Sequence, residues 1–122
     1  MNDTYYPKVL KENTECSVEL ALKIIGGKWK GIIIYNLLKG KMRFNELQKL
    51  MPKITHRMLT LQLRELEKDL IIKRTVYPVV PPKVEYELTD LGKTLSPVIK
   101  EIRQWGNIYK ENLMEEKPLS NN

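Results

Sequence analysis

At 122 residues, with 42% hydrophobic and 30% charged side chains, the chain has the size and apolar content of one globular domain, not of a disordered segment. Net charge is +6 and unevenly spread: residues 25–84 hold thirteen Lys and Arg against four Asp and Glu, and the two ends together are slightly acidic. A basic centre suits a polyanionic partner, although a solvated lysine-rich surface would have the same composition.

Residues 1–15 read as an arm, largely polar, with Tyr5, Tyr6 and Pro7, and without a signal-peptide pattern. Cys16 is the single cysteine, which excludes an intramolecular disulfide and a Cys-cluster metal site and fits a reducing cytoplasm. Ser17–Ile25 is predicted as a short amphipathic helix with Leu20, Ile24 and either Leu22 or Ile25 turned inward, stopped by Gly26-Gly27. Lys28–Leu38 is heavily apolar; its β-branched residues suit a strand, but the Trp29, Ile33, Leu37 spacing of four favours a helix. The longest apolar run, Gly31–Tyr35, is far too short to span a bilayer, so no membrane partner is expected.

After a turn at Lys39-Gly40-Lys41, Met42-Arg43-Phe44 reads as a short strand, and Asn45–Met51 as a third helix with Leu47 and Leu50 facing inward. Pro52 ends it. The next helix lies in Lys53–Leu70, where Leu59, Leu63, Leu66 and Leu70 form one apolar stripe and Thr55 stands at the N-cap position. The opposite face carries Arg57, Thr60, Leu61, Arg64 and Lys68, with no acidic residue between Lys53 and Arg64. An ordinary amphipathic surface helix has the same stripe. Two helices separated by a turn of about three or four residues, the second showing Arg and Thr near its start, match a helix-turn-helix and its recognition helix.

Ile71–Tyr77 and Lys83–Leu88 alternate as two strands, joined by a proline-stiffened loop. A hairpin directly after a helix-turn-helix makes a winged helix. Thr89-Asp90 then caps a last helix from Leu91 to about Leu113, in which Leu91, Leu95, Val98, Ile102, Trp105 and Tyr109 recur as a heptad-like seam and Pro97 places a kink. At about 1.5 Å per residue it runs roughly 35 Å, longer than its own domain's core, which points to a dimer. The alternative is a helix folded back on its own domain. The expected fold is mainly α with a small β-hairpin: an arm over 1–15, a winged helix-turn-helix domain over 16–88, a dimerisation helix over 89–114 and a polar tail over 115–122.

Site assignments follow from chemistry. Arg57, Thr60 and Arg64, with Thr55 and His56 at the helix start, are the candidates to read double-stranded DNA, since Arg pairs bidentately with guanine and a Thr methyl meets a thymine methyl. Lys41, Arg43, Lys53 and Lys83 are candidate phosphate contacts, which position without specifying. His56 is the only histidine, so no metal site is expected, and no cofactor motif is present. No GxGxxG, GxxxxGK[ST] or nucleophile elbow occurs, which argues against an enzyme. Cys16, at a helix N-terminus, is favoured as thiolate by the helix dipole and opposed by Glu15 and Glu19, so the alternatives are a reactive thiol and a small buried residue. Other readings are a regulator gated by a ligand held near Trp29, Trp105 and Tyr109, and a winged helix that binds protein.

Ile25-Gly26-Gly27-Lys28-Trp29, Arg43-Phe44-Asn45-Glu46-Leu47, Leu59-Thr60 with Leu63-Arg64-Glu65-Leu66, Val80–Thr89, Gly92 and Trp105 occur in an order that resembles the HxlR-type winged-helix transcription regulators, relatives of the MarR group, over about Cys16 to Tyr109. The resemblance implies a homodimer on a pseudopalindromic operator, with its recognition helices about 34 Å apart, that represses or activates nearby genes. It also implies a cysteine at the head of the first helix, which several members use to sense oxidants or electrophiles. Cys16 matches that position, with Ser17 where the family commonly has proline. A small electrophile or thiol is then a partner of Cys16.

Overall fold

The computed structural model describes residues 5, 7–11 and 16–120, without the side chains of Lys11 and residues 115–120. The elements in order are α1 (Lys8–Lys11), α2 (Ser17–Ile25), α3 (Lys30–Leu37), β1 (Met42–Arg43), α4 (Phe44–Leu50), α5 (His56–Lys68), β2 (Ile72–Tyr77), β3 (Lys83–Leu88), α6 (Asp90–Lys93) and α7 (Ser96–Ser120). The strands form one antiparallel sheet in the order β1-β3-β2. This is the mainly helical winged helix that the sequence predicts, with β1 paired to the hairpin.

Apolar residues from every helix layer meet in one core. Ile33, Ile34 and Leu37 of α3, Leu47 of α4, Leu59, Leu63 and Leu66 of α5, Ile72 and Leu88 of the hairpin and Ile99 of α7 are all buried. Each such side chain withdrawn from water contributes about 1.5–3 kcal/mol, which is why this set decides the packing of the helices. The one buried polar side chain among the described residues, Asn36, donates from Nδ2 to the Ile32 carbonyl at 3.0 Å. The β-branched α3 is thus a helix, held by the predicted Ile33 and Leu37 positions.

Several local expectations are corrected. The arm is not unstructured at Lys8–Lys11, which forms a helical turn beside α2, with Pro7 buried; residues 1–4, 6 and 12–15 lie outside the described residues. In α2 it is Ile25 that turns inward, while Leu22 is exposed. Phe44 opens α4 and does not extend β1. Leu50 is exposed because α4 ends there, and Met51 and Ile54 of the following turn take the inward places. Leu70 leaves the leucine stripe. The chain exits α5 with Leu70 in the left-handed region, φ 62°, and the Ile71 N–H reaches back to the Leu66 carbonyl at 3.0 Å. That closing turn swings Leu70 into solvent and puts Ile71 in the core.

The last helix is two helices. Thr89 caps α6, its hydroxyl accepting from Gly92 N–H at 2.9 Å and donating to the Leu70 carbonyl at 2.7 Å. Gly92 packs so closely on the Ile71 carbonyl that a Cβ there would lie 2.1 Å from its oxygen. The helix breaks at residues 94–95, just before the expected kink. Pro97 has no N–H to give the Lys93 carbonyl and its ring would strike it, which favours a break here; α7 restarts with Pro97 in its first turn, where no N–H is needed. Residues 115–120, expected as tail, continue α7 as backbone, and residues 121–122 lie outside the described residues.

Candidate nucleic-acid interface

The turn between α4 and α5 is short and tied at both ends. Gln48 Nε2 donates to the Ile54 carbonyl at 3.1 Å, and Ile54 N–H donates to the Met51 carbonyl at 3.1 Å. Thr55 then caps α5 as the sequence predicts, its Oγ accepting from Met58 N–H at 3.0 Å. These bonds, with Leu59, Leu63 and Leu66 sunk in the core, hold α5 rigidly. An ion pair between Lys30 Nζ of α3 and Glu65 Oε1, at 2.6 Å, adds a link on the flank of α5.

The outer face of α5 presents Arg57, Leu61, Arg64 and Lys68 to solvent, with Thr60 half-buried. Thr60 Oγ donates to the His56 carbonyl at 3.0 Å, so that hydroxyl is engaged within the helix. The His56 ring packs on Phe44, centroids 4.5 Å apart, which joins the start of α5 to the start of α4. Arg57 and Arg64 make no ion pair among the described residues, so their guanidinium groups are available. Lys53 is exposed just before the cap.

The wing lysines form a separate cluster. Lys41 and Lys83 lie 3.9 and 3.5 Å from the two oxygens of Glu85, and Tyr77 Oη donates to Glu85 at 2.9 Å. The Tyr77 hydrogen bond holds the Glu85 carboxyl below the usual carboxylate range, and the same bond pushes the Tyr77 hydroxyl up. Arg43 stands opposite Glu85 in the β1–β3 register, and its N–H donates to Glu46 at 2.7 Å. Thr55, His56, Arg57, Thr60 and Arg64 therefore share α5, while Lys41, Arg43 and Lys83 gather on the sheet face turned away from the core. Arg74 escaped the sequence reading. It stands on the other face, opposite Tyr86, and lines a groove with Thr60 and Arg64. Only the β2–β3 register reveals it.

Cys16 is exposed, at the N-cap of α2. The nearby backbone N–H groups of Glu19 and Val18, in the first turn of α2, hold the thiol below its ordinary pKa, although its side chain makes no cap hydrogen bond. Of the expected dimer residues, Leu91, Val98, Ile102, Trp105 and Tyr109 are exposed, but Leu95 packs on its own core. Trp105 and Tyr109 stack with centroids 5.4 Å apart. The sequence placed none of Leu22, Ile32 and Tyr35 in the seam; they line an apolar groove of about 610 Å³ with Ile99 and Ile102 between α2, α3 and α7. Trp29, Trp105 and Tyr109 do not line it, and Trp29 packs on the core. Among the described residues no group of three or more His, Cys, Asp or Glu is placed to hold a metal, and no helix is long and apolar enough to cross a membrane.

Residues 24–114 match the family described as HxlR-like helix-turn-helix. The uncharacterized HTH-type transcriptional regulator YdeP of Bacillus subtilis (strain 168) is 63% identical over 98 residues, which cover 80% of this chain and 77% of that protein. The redox regulator HypR in its reduced form superposes with a TM-score of 0.78 at 53% identity, covering 82% of this chain and 99% of that one. The reduced form of the transcriptional regulator YodB from B. subtilis superposes with a TM-score of 0.68 at 38% identity, over 77% and 93% of the two chains. With the fold, the turn and the basic helix face in agreement, this chain belongs to the HxlR-like helix-turn-helix family of transcription regulators, which are not enzymes.

Proposed function

We propose that this protein is a cytoplasmic homodimer that binds a pseudopalindromic operator through α5 and regulates nearby genes. The observation that carries the reading is the rigidly anchored outer face of α5, basic and without an ion-paired arginine among the described residues. Arg57, Thr60 and Arg64 meet base edges, with Thr55 and His56 at the helix start. Lys53, Arg43, Lys41 and Lys83 meet phosphates, the last two with part of their charge already answered by Glu85. The dimer forms over Val98, Ile102, Trp105 and Tyr109 of α7, joined by the groove residues Leu22, Ile32 and Tyr35, an apolar surface otherwise left in water. Arg57→Ala is expected to weaken binding to a selected duplex about 10- to 100-fold with the melting temperature unchanged, since one bidentate base contact carries about 1–3 kcal/mol. Unchanged affinity in fluorescence anisotropy would remove Arg57 from the interface.

Cys16 is the proposed signal input. Its exposed, N-terminal position favours the thiolate, and HypR, a redox regulator, shares the fold at high identity. Diamide is expected to modify Cys16 and change operator affinity, thiol to restore it, and Cys16→Ser to abolish the response. Mass spectrometry showing an unmodified thiol, with binding unaffected, would transfer the input to a non-thiol ligand.

A further inference from the structure

Between α5 and the hairpin runs a groove of about 310 Å³, lined by Thr60, Leu63, Arg64, Glu67, Arg74 and Tyr86. The register explains its composition. Ile72 pairs with Leu88 in the core, and the next pair on the same face, Arg74 with Tyr86, stands where that face leaves the core. Tyr86 is only 9% exposed, yet its hydroxyl makes no hydrogen bond among the described residues. Among the described residues no side-chain oxygen or nitrogen that is fully shut off from solvent lacks a partner, so Tyr86 Oη reaches solvent, and the groove is where the residue opens. Arg74 is exposed and makes no ion pair among the described residues.

We propose that Arg74 and the Tyr86 hydroxyl together bind one backbone phosphate of the duplex. The proposal rests on the reading that α5 enters the major groove. With α5 there and the hairpin beyond it, the phosphate strand bordering the groove must pass between the two. A guanidinium presents two parallel donors to phosphate oxygens, and a phenol adds a third, neutral one. Arg64 on the opposite wall adds positive potential and remains able to turn toward the bases. Glu67 also lines the groove, and the two guanidinium groups outweigh its single carboxylate, leaving one net positive charge for one phosphodiester. The hydroxyl of Thr60 is taken by His56 and is not a ligand.

The test uses the full chain and a duplex that it enriches from a random pool. Wild type is titrated against duplexes carrying one uncharged methylphosphonate at successive positions. One position per half-site is expected to weaken wild type about tenfold, as a charge-assisted contact implies. Arg74→Gln, which removes the contact from both protomers, is expected to lose that factor twice, about 100-fold, on the unmodified duplex, to ignore that methylphosphonate, and to lower the salt slope by about 1.8. Tyr86→Phe, which removes only the oxygen, is expected to weaken selected and random duplexes alike, a few-fold, with the salt slope unchanged. Wild-type affinity and salt slope in both variants would overturn the assignment. If Arg57→Ala still lost binding, the DNA reading would stand and the groove alone would fall. A pool with no enriched duplex would overturn both.

Discussion

Replacing Ile102 and Trp105 together by Asp is expected to yield a folded monomer that has lost about 10²- to 10⁴-fold in operator affinity. Both side chains stand in water in the isolated protomer, at 54% and 63% exposure, so the winged helix does not depend on them. Ile99, three residues before Ile102 on α7, is 4% exposed and belongs to the protomer's own core, so it is left intact. The loss comes from geometry. A dimer that has engaged one half-site holds its second α5 beside the other at high effective concentration, and a monomer must find each half-site separately. Light scattering behind size exclusion reads the mass, and anisotropy on a full operator and a half-site reads the affinity. The monomer should bind the half-site as wild type does. A variant that remained dimeric would move the interface off α7.

Leu63→Ala is expected to cost about 2–5 kcal/mol of folding stability, against a total of about 5–15 for a domain of this kind. Leu63 is 1% exposed and lies in the middle of the α5 stripe, where truncation leaves a cavity that Leu59, Leu66 and the α3 isoleucines cannot close without moving. Urea denaturation should show the midpoint fall at constant slope. Leu61→Ala, two residues away, is the control. Leu61 is 45% exposed, so stability should stay within about 0.5 kcal/mol of wild type. If Leu61 meets a thymine methyl, operator affinity falls a few-fold with no change in the midpoint. The pair separates the two faces of one helix: one holds the fold and the other faces the partner. Equal loss of stability in both would mean that α5 does not sit with its leucine stripe inward.

Much of the protein was legible because its signals are local. Thr55 and Thr89 announce helix starts through a hydroxyl three residues before the N–H it accepts from, and both bonds are present. The apolar alternation of Val84, Tyr86 and Leu88 marked a strand, and β3 covers Lys83–Leu88 as predicted. The spacing of Leu59, Leu63 and Leu66 needs only the helical period to place them on one side, and burial agrees. Where the chain reverses or meets a distant segment, the pattern ran out. Leu70 fits the stripe by period, but the closing turn of α5 overrides period. Leu95 fits the seam, yet the break before Pro97 and the close seat of Gly92 on Ile71 turn it onto its own core.

The same division holds for the candidate site. By itself the sequence determined a basic helix face, a turn of the right length, a hairpin after it and a lone cysteine at a helix start, since each depends on residues a few positions apart. Only the tertiary structure decided that Glu85 draws Lys41 and Lys83 to the outer sheet face, that Arg74 and Tyr86 share the inner one, and that Leu22, Ile32 and Tyr35 join α7 in one apolar groove. These neighbours are set by strand register and helix packing, in which residues far apart in the chain compete for one core, and no local period carries that information.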